Sequence, residues 1–325
     1  MKNFEWAEAG SVAEGLALMR AGAAYKAGGL DLLDRMKEGL DAPARLVNIR
    51  NVKELEGVAA TAGGGLRIGP LVTLAALDTD EIVRGRYAAL SEAAGHAATP
   101  QIRNVATLGG NLLQRPRCWY FRSEDFHCRK KGGDTCFALE GENQYHAVFS
   151  NRVCAIVHPS ATAVALVALG ARVELAGAKG RREVLLEEFF VAPEEDVTRE
   201  NKLGDGELMT AVILPPTSSS TRSAYLKLGE KESFDWPLAE VAAVLEMEGG
   251  GRCRRASVVL GAAAPVPLRA RGAEEALKGR VIDEASARAA AEAAMKGATP
   301  LAENAYKLPI FKTLVRRAVV AAATA

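Results

Sequence analysis

Cys118, Cys128, Cys136 and Cys154 lie within one 37-residue stretch, and Thr107-Leu108-Gly109-Gly110-Asn111 stands just before it. Four thiolates are a common donor set for an iron–sulfur cluster. A double glycine brings backbone N–H groups close to a phosphate because no side chain stands between them and the anion. One segment therefore holds residues suited to two redox cofactors. Spacing alone leaves other chemistries open. Structural zinc favours close C-x2-4-C pairs, whereas the gaps here are nine, seven and seventeen residues. Disulfides belong to oxidising compartments, and Glu5 and Glu8 interrupt the place where the apolar core of a signal peptide would lie. A reducing, cytoplasmic setting is expected, with periplasmic residence open if a partner carries the export signal. A buried, unreactive thiol is the alternative for any single cysteine, and it is the reading for Cys253 in the strand-like run Cys253 to Leu260.

Composition narrows the classes. At 325 residues the chain suggests two or three domains. Forty-nine per cent hydrophobic and 25% charged residues is ordinary globular composition. Lys+Arg 41 against Asp+Glu 40 gives a formal charge of +1, which offers no broad attraction for nucleic acid or anionic lipid. The longest apolar run, Ala161 to Ala171, ends at Arg172 and is about half of the ~20 residues a membrane span needs. A soluble protein without a membrane span is expected.

The elements that must position these residues are legible. Ser11-Val12-Ala13-Glu14 has the capping-box pattern, and Val12, Leu16 and Met19 continue at helical spacing towards Arg20. Ala23-Ala24-Tyr25-Lys26, then Ala27-Gly28-Gly29, then Leu30 to Lys37 reads as strand, glycine turn and helix. A helix N-terminus is a natural anion site, although a Gly-Gly pair taken alone is a tight turn. A strand at Leu66 to Gly69 precedes helices near 74–85 and 87–95. Ser160 can cap an apolar helix through Leu169, and Ala171 to Leu175 with Glu183 to Leu186 forms a hairpin. Pro215 to Thr221 is the clearest linker. Beyond it, strands (225–228, 239–247, 253–261) precede helices (269–277, 285–294, 305–322), which predicts an α+β unit on an antiparallel sheet. The Cys-bearing segment, about 115–155, reads as a surface excursion between elements.

The run Gln101 to Leu112 resembles the second flavin-binding signature of the FAD-binding medium subunits of molybdenum hydroxylases, and Ala27-Gly28-Gly29 resembles the first. The family includes xanthine dehydrogenase, carbon monoxide dehydrogenase and 4-hydroxybenzoyl-CoA reductase, and the resemblance covers essentially the whole chain. The Cys segment, with Arg117-Cys118-Trp119-Tyr120-Phe121 and Gly141-Glu142-Asn143, is similar to the branch whose flavoprotein subunit carries an extra 4Fe-4S cluster, aldehyde oxidoreductases above all. The resemblance implies an α+β fold: a two-lobed FAD-binding domain of the vanillyl-alcohol-oxidase (PCMH) type, with lobes at 1–58 and 59–217, and a flavoprotein C-terminal domain at 218–325. It also implies that Lys26, Ala27, Gly28, Gly29, Leu30, Asp31, Leu32 and Leu33 line the FAD diphosphate from one lobe. Thr107, Gly109, Gly110 and Asn111 would meet it from the other. Ser160 would lie near the ribityl or ribose hydroxyls, where the usual following Asp is Ala161, and Leu30 stands where a side-chain donor is usual. Lys227 would approach the isoalloxazine edge. The cluster ligands would be Cys118, Cys128, Cys136 and Cys154, and His96, His127, His146 and His158 are read as hydrogen-bonding partners outside the ligand set.

By the same resemblance the chain is the FAD and 4Fe-4S electron-transfer subunit of a heterotrimer with a large molybdenum-cofactor subunit and a small 2Fe-2S subunit. It would pass electrons to a ferredoxin or other acceptor. Arg129-Lys130-Lys131 is expected to be a solvated loop or a basic patch for an acidic ferredoxin. No triad, carboxylate pair or P-loop stands out, so no side-chain catalyst is assigned. A reductase running in the opposite direction, a stand-alone flavoprotein oxidoreductase and a zinc-stapled scaffold are the rival readings.

Overall fold

The computed structural model describes residues 1–231 and 234–325. Strands β1 (Glu5–Glu8), β2 (Ala23–Lys26) and β3 (Arg45–Asn48) form a parallel sheet in the order β1-β3-β2. A parallel pair needs a crossover, and the helix Leu30–Lys37 between β2 and β3 supplies it. Gly29 caps that helix at φ +83°, a left-handed conformation that glycine adopts without strain. The glycine turn therefore delivers the chain from sheet to helix as its sequence predicts.

Strands β4 (Val58–Ala60), β5 (Leu66–Ile68), β6 (Arg172–Gly177), β7 (Gly180–Leu185) and β8 (Leu208–Leu214) form an antiparallel sheet ordered β4-β5-β8-β6-β7. The expected hairpin at 171–186 is β6–β7. The helix expected near 74–85 is two, Leu74–Thr79 and Glu81–Arg86. Asp80 ends the first and caps the second by accepting from Val83 N at 2.9 Å.

The third sheet, β12-β11-β10-β9, contains β9 (Thr221–Leu228), β10 (Ala239–Glu248), β11 (Arg252–Gly261) and β12 (Leu268–Arg269), all antiparallel. Helices Arg271–Leu277, Glu284–Ala294 and Lys307–Thr324 follow it, and a core that includes Leu245, Val258, Phe311 and Val315 joins them to its strands. The helix Ala161–Ala168 packs against β10 and β11, and all eight of its residues are buried. Ser160 caps it, accepting from Ala163 N at 3.1 Å. Val164 and Leu166 share one core with Leu108, Tyr225, Ala242 and Val259, so the second and third sheets are fused through this helix. Among the described residues no helix is long and apolar enough to cross a membrane.

Two expectations are corrected. The Cys-bearing segment is a wedge between the three units, not a surface excursion. Arg122 reaches Glu38 at 3.0 Å beside the first sheet, and Lys130 reaches Glu200 at 2.9 Å in the loop before β8. Asn143 and Glu303 exchange hydrogen bonds at 2.9 and 3.0 Å, and Asn304 Nδ2 donates to His146 O and Ala147 O. A segment with little regular structure must satisfy its backbone elsewhere, and here neighbouring side chains do it. The basic run is likewise not a patch: Lys130 is buried in its ion pair, Arg129 donates to Asp134 O and Val153 O, and Lys131 donates to Ser123 O.

Because Leu166 is fully buried at the junction of two sheets, Leu166→Ala is expected to cost about 2–5 kcal/mol. Urea unfolding measures it; a loss under about 1 kcal/mol would show that this helix is not the common core.

Candidate functional site

A cleft of about 880 Å³ opens where the three units meet, at the upper end for ligand sites. Ala27, Gly28, Gly29, Leu30, Asp31 and Leu32 line one side, and Thr107, Gly109, Gly110 and Asn111 line another. Lys227, Pro237 and Glu240 close it from the third sheet. Three expected residues do not line it. Lys26 stands over the Trp6 ring, 5.6 Å from its centroid. Leu33 lies one helical step past the opening. Ser160 is fully buried and donates to Asn111 Oδ1 at 2.7 Å, as Thr162 does at 2.6 Å. Ser160 thus orients a lining residue without being one.

The two glycine pairs differ in what they offer an anion. Among the described residues, the N–H groups of Gly28, Gly29, Leu30, Asp31 and Leu32 have no protein acceptor, as expected for a helix's first turn. On the other side Gly109 N donates to Pro70 O, Gly110 N to Thr107 Oγ1 and Asn111 N to Thr107 O. The Gly109-Gly110 pair, read as a turn, is the start of the short helix Leu108–Leu112, with Thr107 as its cap. Its N–H groups are spent, and its contribution is space. A Cβ on Gly110 would meet only Thr107 Oγ1, at 3.0 Å, whereas a Cβ on Gly28 would collide with Val105 O. Gly28 lets the two lobes touch; Gly110 leaves room in the cleft.

Asp31 ties the cleft to the cysteines. Its carboxylate accepts from Arg115 N at 3.1 Å, from Arg122 Nη2 at 2.7 Å and from Arg117, and Arg35 Nε lies 3.0 Å away. Arg117 and Arg35 line the cleft as cations that motif reading missed, and Arg117 stacks 4.9 Å from the Trp236 ring centroid. Arg117 precedes Cys118, which was the available signal. Glu240 was missed as well, although it is the cross-strand partner of Lys227. Burial pushes the Lys227 ammonium below its usual value, and its Nζ donates to His96 O at 3.1 Å.

Cys118, Cys128, Cys136 and Cys154 line a second, small cavity together with His146, Lys130 and Phe137. Backbone N–H groups of Tyr120 and Phe121 point at the Cys118 sulfur, those of Ala138 and Ala155 at Cys136, and that of Ile156 at Cys154. His146 Nε2 lies 3.3 Å from Cys118 Sγ. The Cys154 thiol donates to Cys136, which holds the Cys136 thiol down to about 6 and raises that of Cys154; burial raises Cys118 to about 12. Among the described residues no three His, Cys, Asp or Glu side chains form a group that could hold a metal ion. The thiols surround a shared space, three of them with their own backbone donors, rather than meeting at one point. Cys253 lies apart, buried in β11 with its thiol donating to Arg255 O. His158 is buried against Phe190, its Nδ1 accepting from Ser160 N. His127 and His96 do not line the cysteine cavity.

Comparison with known proteins agrees with this geometry. Residues 2–217 match the family described as FAD binding domain in molybdopterin dehydrogenase, and residues 224–322 match the CO dehydrogenase flavoprotein C-terminal domain. The chain is 38% identical over 317 residues to the aldehyde oxidoreductase FAD-binding subunit PaoB of Escherichia coli (strain K12), covering 96% of each. It is 28% identical to the carbon monoxide dehydrogenase medium chain of Hydrogenophaga pseudoflava, covering 98% of this chain and 96% of the other. A solved carbon monoxide dehydrogenase from that organism superposes with a TM-score of 0.77 at 29% identity, over 99% of this chain and 97% of the other. Quinoline 2-oxidoreductase from Pseudomonas putida 86 gives 0.77 at 26%, over 100% and 99%. These relatives align with this chain over 96% or more of their own length, and with both domain families matched the chain belongs with them to the FAD-binding oxidoreductase subunits of the molybdenum hydroxylase family.

Proposed function

We propose that this chain is the FAD and 4Fe-4S electron-transfer subunit of an aldehyde oxidoreductase-like molybdenum hydroxylase. It works beside a large molybdenum-cofactor subunit and a small 2Fe-2S subunit and passes electrons between the 2Fe-2S centres and an external acceptor. The observation that carries the reading is the juxtaposition of two sites: a dinucleotide-sized cleft with unpaired N–H groups, and a cavity walled by four cysteines, joined through Asp31, Arg117 and Cys118. In this reading FAD supplies the exchange between paired and single electrons, and the chain's residues bind and orient it.

The first turn of the Leu30–Lys37 helix offers N–H donors to the diphosphate, with Arg117 and Arg35 adding positive charge nearby. Asn111, its Oδ1 held by Ser160 and Thr162, presents its amide to the cleft. Lys26, Leu33 and Ser160 support these residues from behind. The cysteine pocket fits an iron–sulfur cluster by donor type and because backbone N–H groups already aim at three of the sulfurs, as hydrogen bonds tune such clusters. The lobes are taken as 1–58 and 59–217 and the C-terminal domain as 218–325. A cytoplasmic home is in keeping with reduced thiols in this pocket, with periplasmic residence open if a partner carries the export signal. With Lys130 buried and Arg129 and Lys131 engaged with backbone carbonyls, the electron acceptor docks elsewhere than on Arg129-Lys130-Lys131.

Anaerobically prepared protein is expected to contain FAD and about four irons per chain, with Cys128→Ser losing most of the iron. Metal analysis giving one zinc and no iron would sink the cluster assignment. Gly110→Val is expected to abolish FAD binding while iron content and thermal stability hold, because a branched side chain fills the cleft without striking backbone. Gly28→Val should instead fail to fold. Full flavin occupancy in Gly110→Val would remove that loop from the site.

A further inference from the structure

Glu240 is fully buried in β10, yet it lines the cleft. Its Oε1 accepts from Tyr225 OH at 2.6 Å, and among the described residues its Oε2 has no hydrogen-bond partner. The fold makes room for that second oxygen: a Cβ on Gly261 would collide with Glu240 Oε2. No ion pair reaches the carboxyl among the described residues. Lys227 is turned to His96 O, and Lys307, buried at the start of the last helix, donates to Ala262 O at 2.6 Å and His146 O at 3.1 Å. An isolated buried carboxylate is costly, and such a group ordinarily keeps its proton.

We propose that Glu240 is a proton-holding residue of the cleft, carrying a proton on Oε2 that it takes from or returns to solvent as electrons enter or leave FAD bound there. This rests on the reading that the cleft holds FAD. The exchange moves one proton between water and Oε2, makes or breaks only that O–H bond, and leaves the electrons on the cofactor. Added negative charge in a desolvated cleft favours the protonated acid; by reciprocity the protonated acid favours the electron-loaded state.

The charged and titratable groups that act on Glu240 are Tyr225 and Lys227 on β9 and Lys307 on the last helix; Asp235 before β10 acts on Lys227, Glu92 of the helix Ala88–Gly95 accepts from Tyr225 N, and His96, which follows that helix, takes Lys227 through its carbonyl. Gly261 of β11 and Val164 of the Ala161–Ala168 helix bring no charge. Burial pushes the Glu240 carboxyl up to about 7, with the Tyr225 hydroxyl, Lys227 and Lys307 holding it lower than burial alone would. Burial also pushes Lys307 down to about 7, and the Glu240 carboxylate opposes that shift.

The test is the midpoint potential of FAD in the full chain as a function of pH, for wild type, Glu240→Gln and Tyr225→Phe. Wild type should fall more steeply than Glu240→Gln as pH rises through about 7, with the two curves converging on the acid side, where Glu240 is protonated. Tyr225→Phe removes a hydrogen bond that favours the carboxylate, so the steep region should move to higher pH. A steep region arising from Lys307 alone would not respond in that way. Parallel curves for wild type and Glu240→Gln overturn the inference while FAD binding stands. Should Glu240→Gln fail to hold FAD, an unmoved steep region in Tyr225→Phe overturns it. Wild-type protein that takes up no FAD overturns the inference together with the reading beneath it.

Discussion

Four arginines converge on the carboxylate of Asp31, three through side chains and one through its backbone N–H. The residue stands in the first turn of the Leu30–Lys37 helix, where a negative charge is favoured by the helix dipole. Three of those arginines, Arg115, Arg117 and Arg122, belong to the segment that carries the cysteines. The side chains of Arg122 and Asp31 are only 9% and 13% exposed, so screening is weak and removal of the anion would leave clustered cations partly desolvated. The position of the cysteine segment, the first turn that faces the cleft and the stacking of Arg117 on Trp236 all depend on this one contact set. It is also why the segment cannot behave as a detachable loop.

Buried charge recurs through the wedge. Lys130, 3% exposed, meets Glu200, which also takes a two-pronged contact from Arg115. Among the described residues Lys307 has no carboxylate in contact, and two backbone carbonyls hold it. Each case answers the same need: a segment without long helices or strands exposes carbonyls and N–H groups to its neighbours, and long cationic side chains can reach them. Burying charge costs free energy unless it is paired or hydrogen-bonded, so these contacts select one arrangement of the three units over looser ones. Glu240 is the exception, with one oxygen satisfied and one facing the cleft.

The two glycine pairs show how like motifs take unlike jobs. Gly29 is needed for its left-handed backbone and Gly28 for a close approach to Val105, which together set the helix start that exposes free N–H groups. Gly109 and Gly110 lie inside a helical turn whose N–H groups are already bonded; Gly109 allows a close approach to Pro70, and Gly110 matters because it carries nothing that would fill the cleft. Neither role follows from the letters Gly-Gly, since both pairs read as phosphate turns.

Local patterns determined much of this protein in advance. Strand β2, its glycine turn and the next helix, the Ser160-capped apolar helix, the 171–186 hairpin and the strands followed by helices at the C-terminus each rest on short-range periodicity and capping, which act within a few residues. The runs Ala27 to Gly29 and Gln101 to Leu112 pointed to a flavoprotein subunit by resemblance, whereas the cysteine spacing alone left other chemistries open. Tertiary structure decided what is non-local. Asp31 is 84 residues from Arg115 and Glu240 is 67 from Lys307, and no pattern along the chain pairs them. Lys130, in a run that looks solvated, is buried because Glu200 waits for it in another loop. Ser160, expected beside the cofactor, faces inward because its hydroxyl is needed both to cap a helix and to hold Asn111. Charge and hydrogen-bond partners are chosen by packing, and packing is settled only when the three sheets come together.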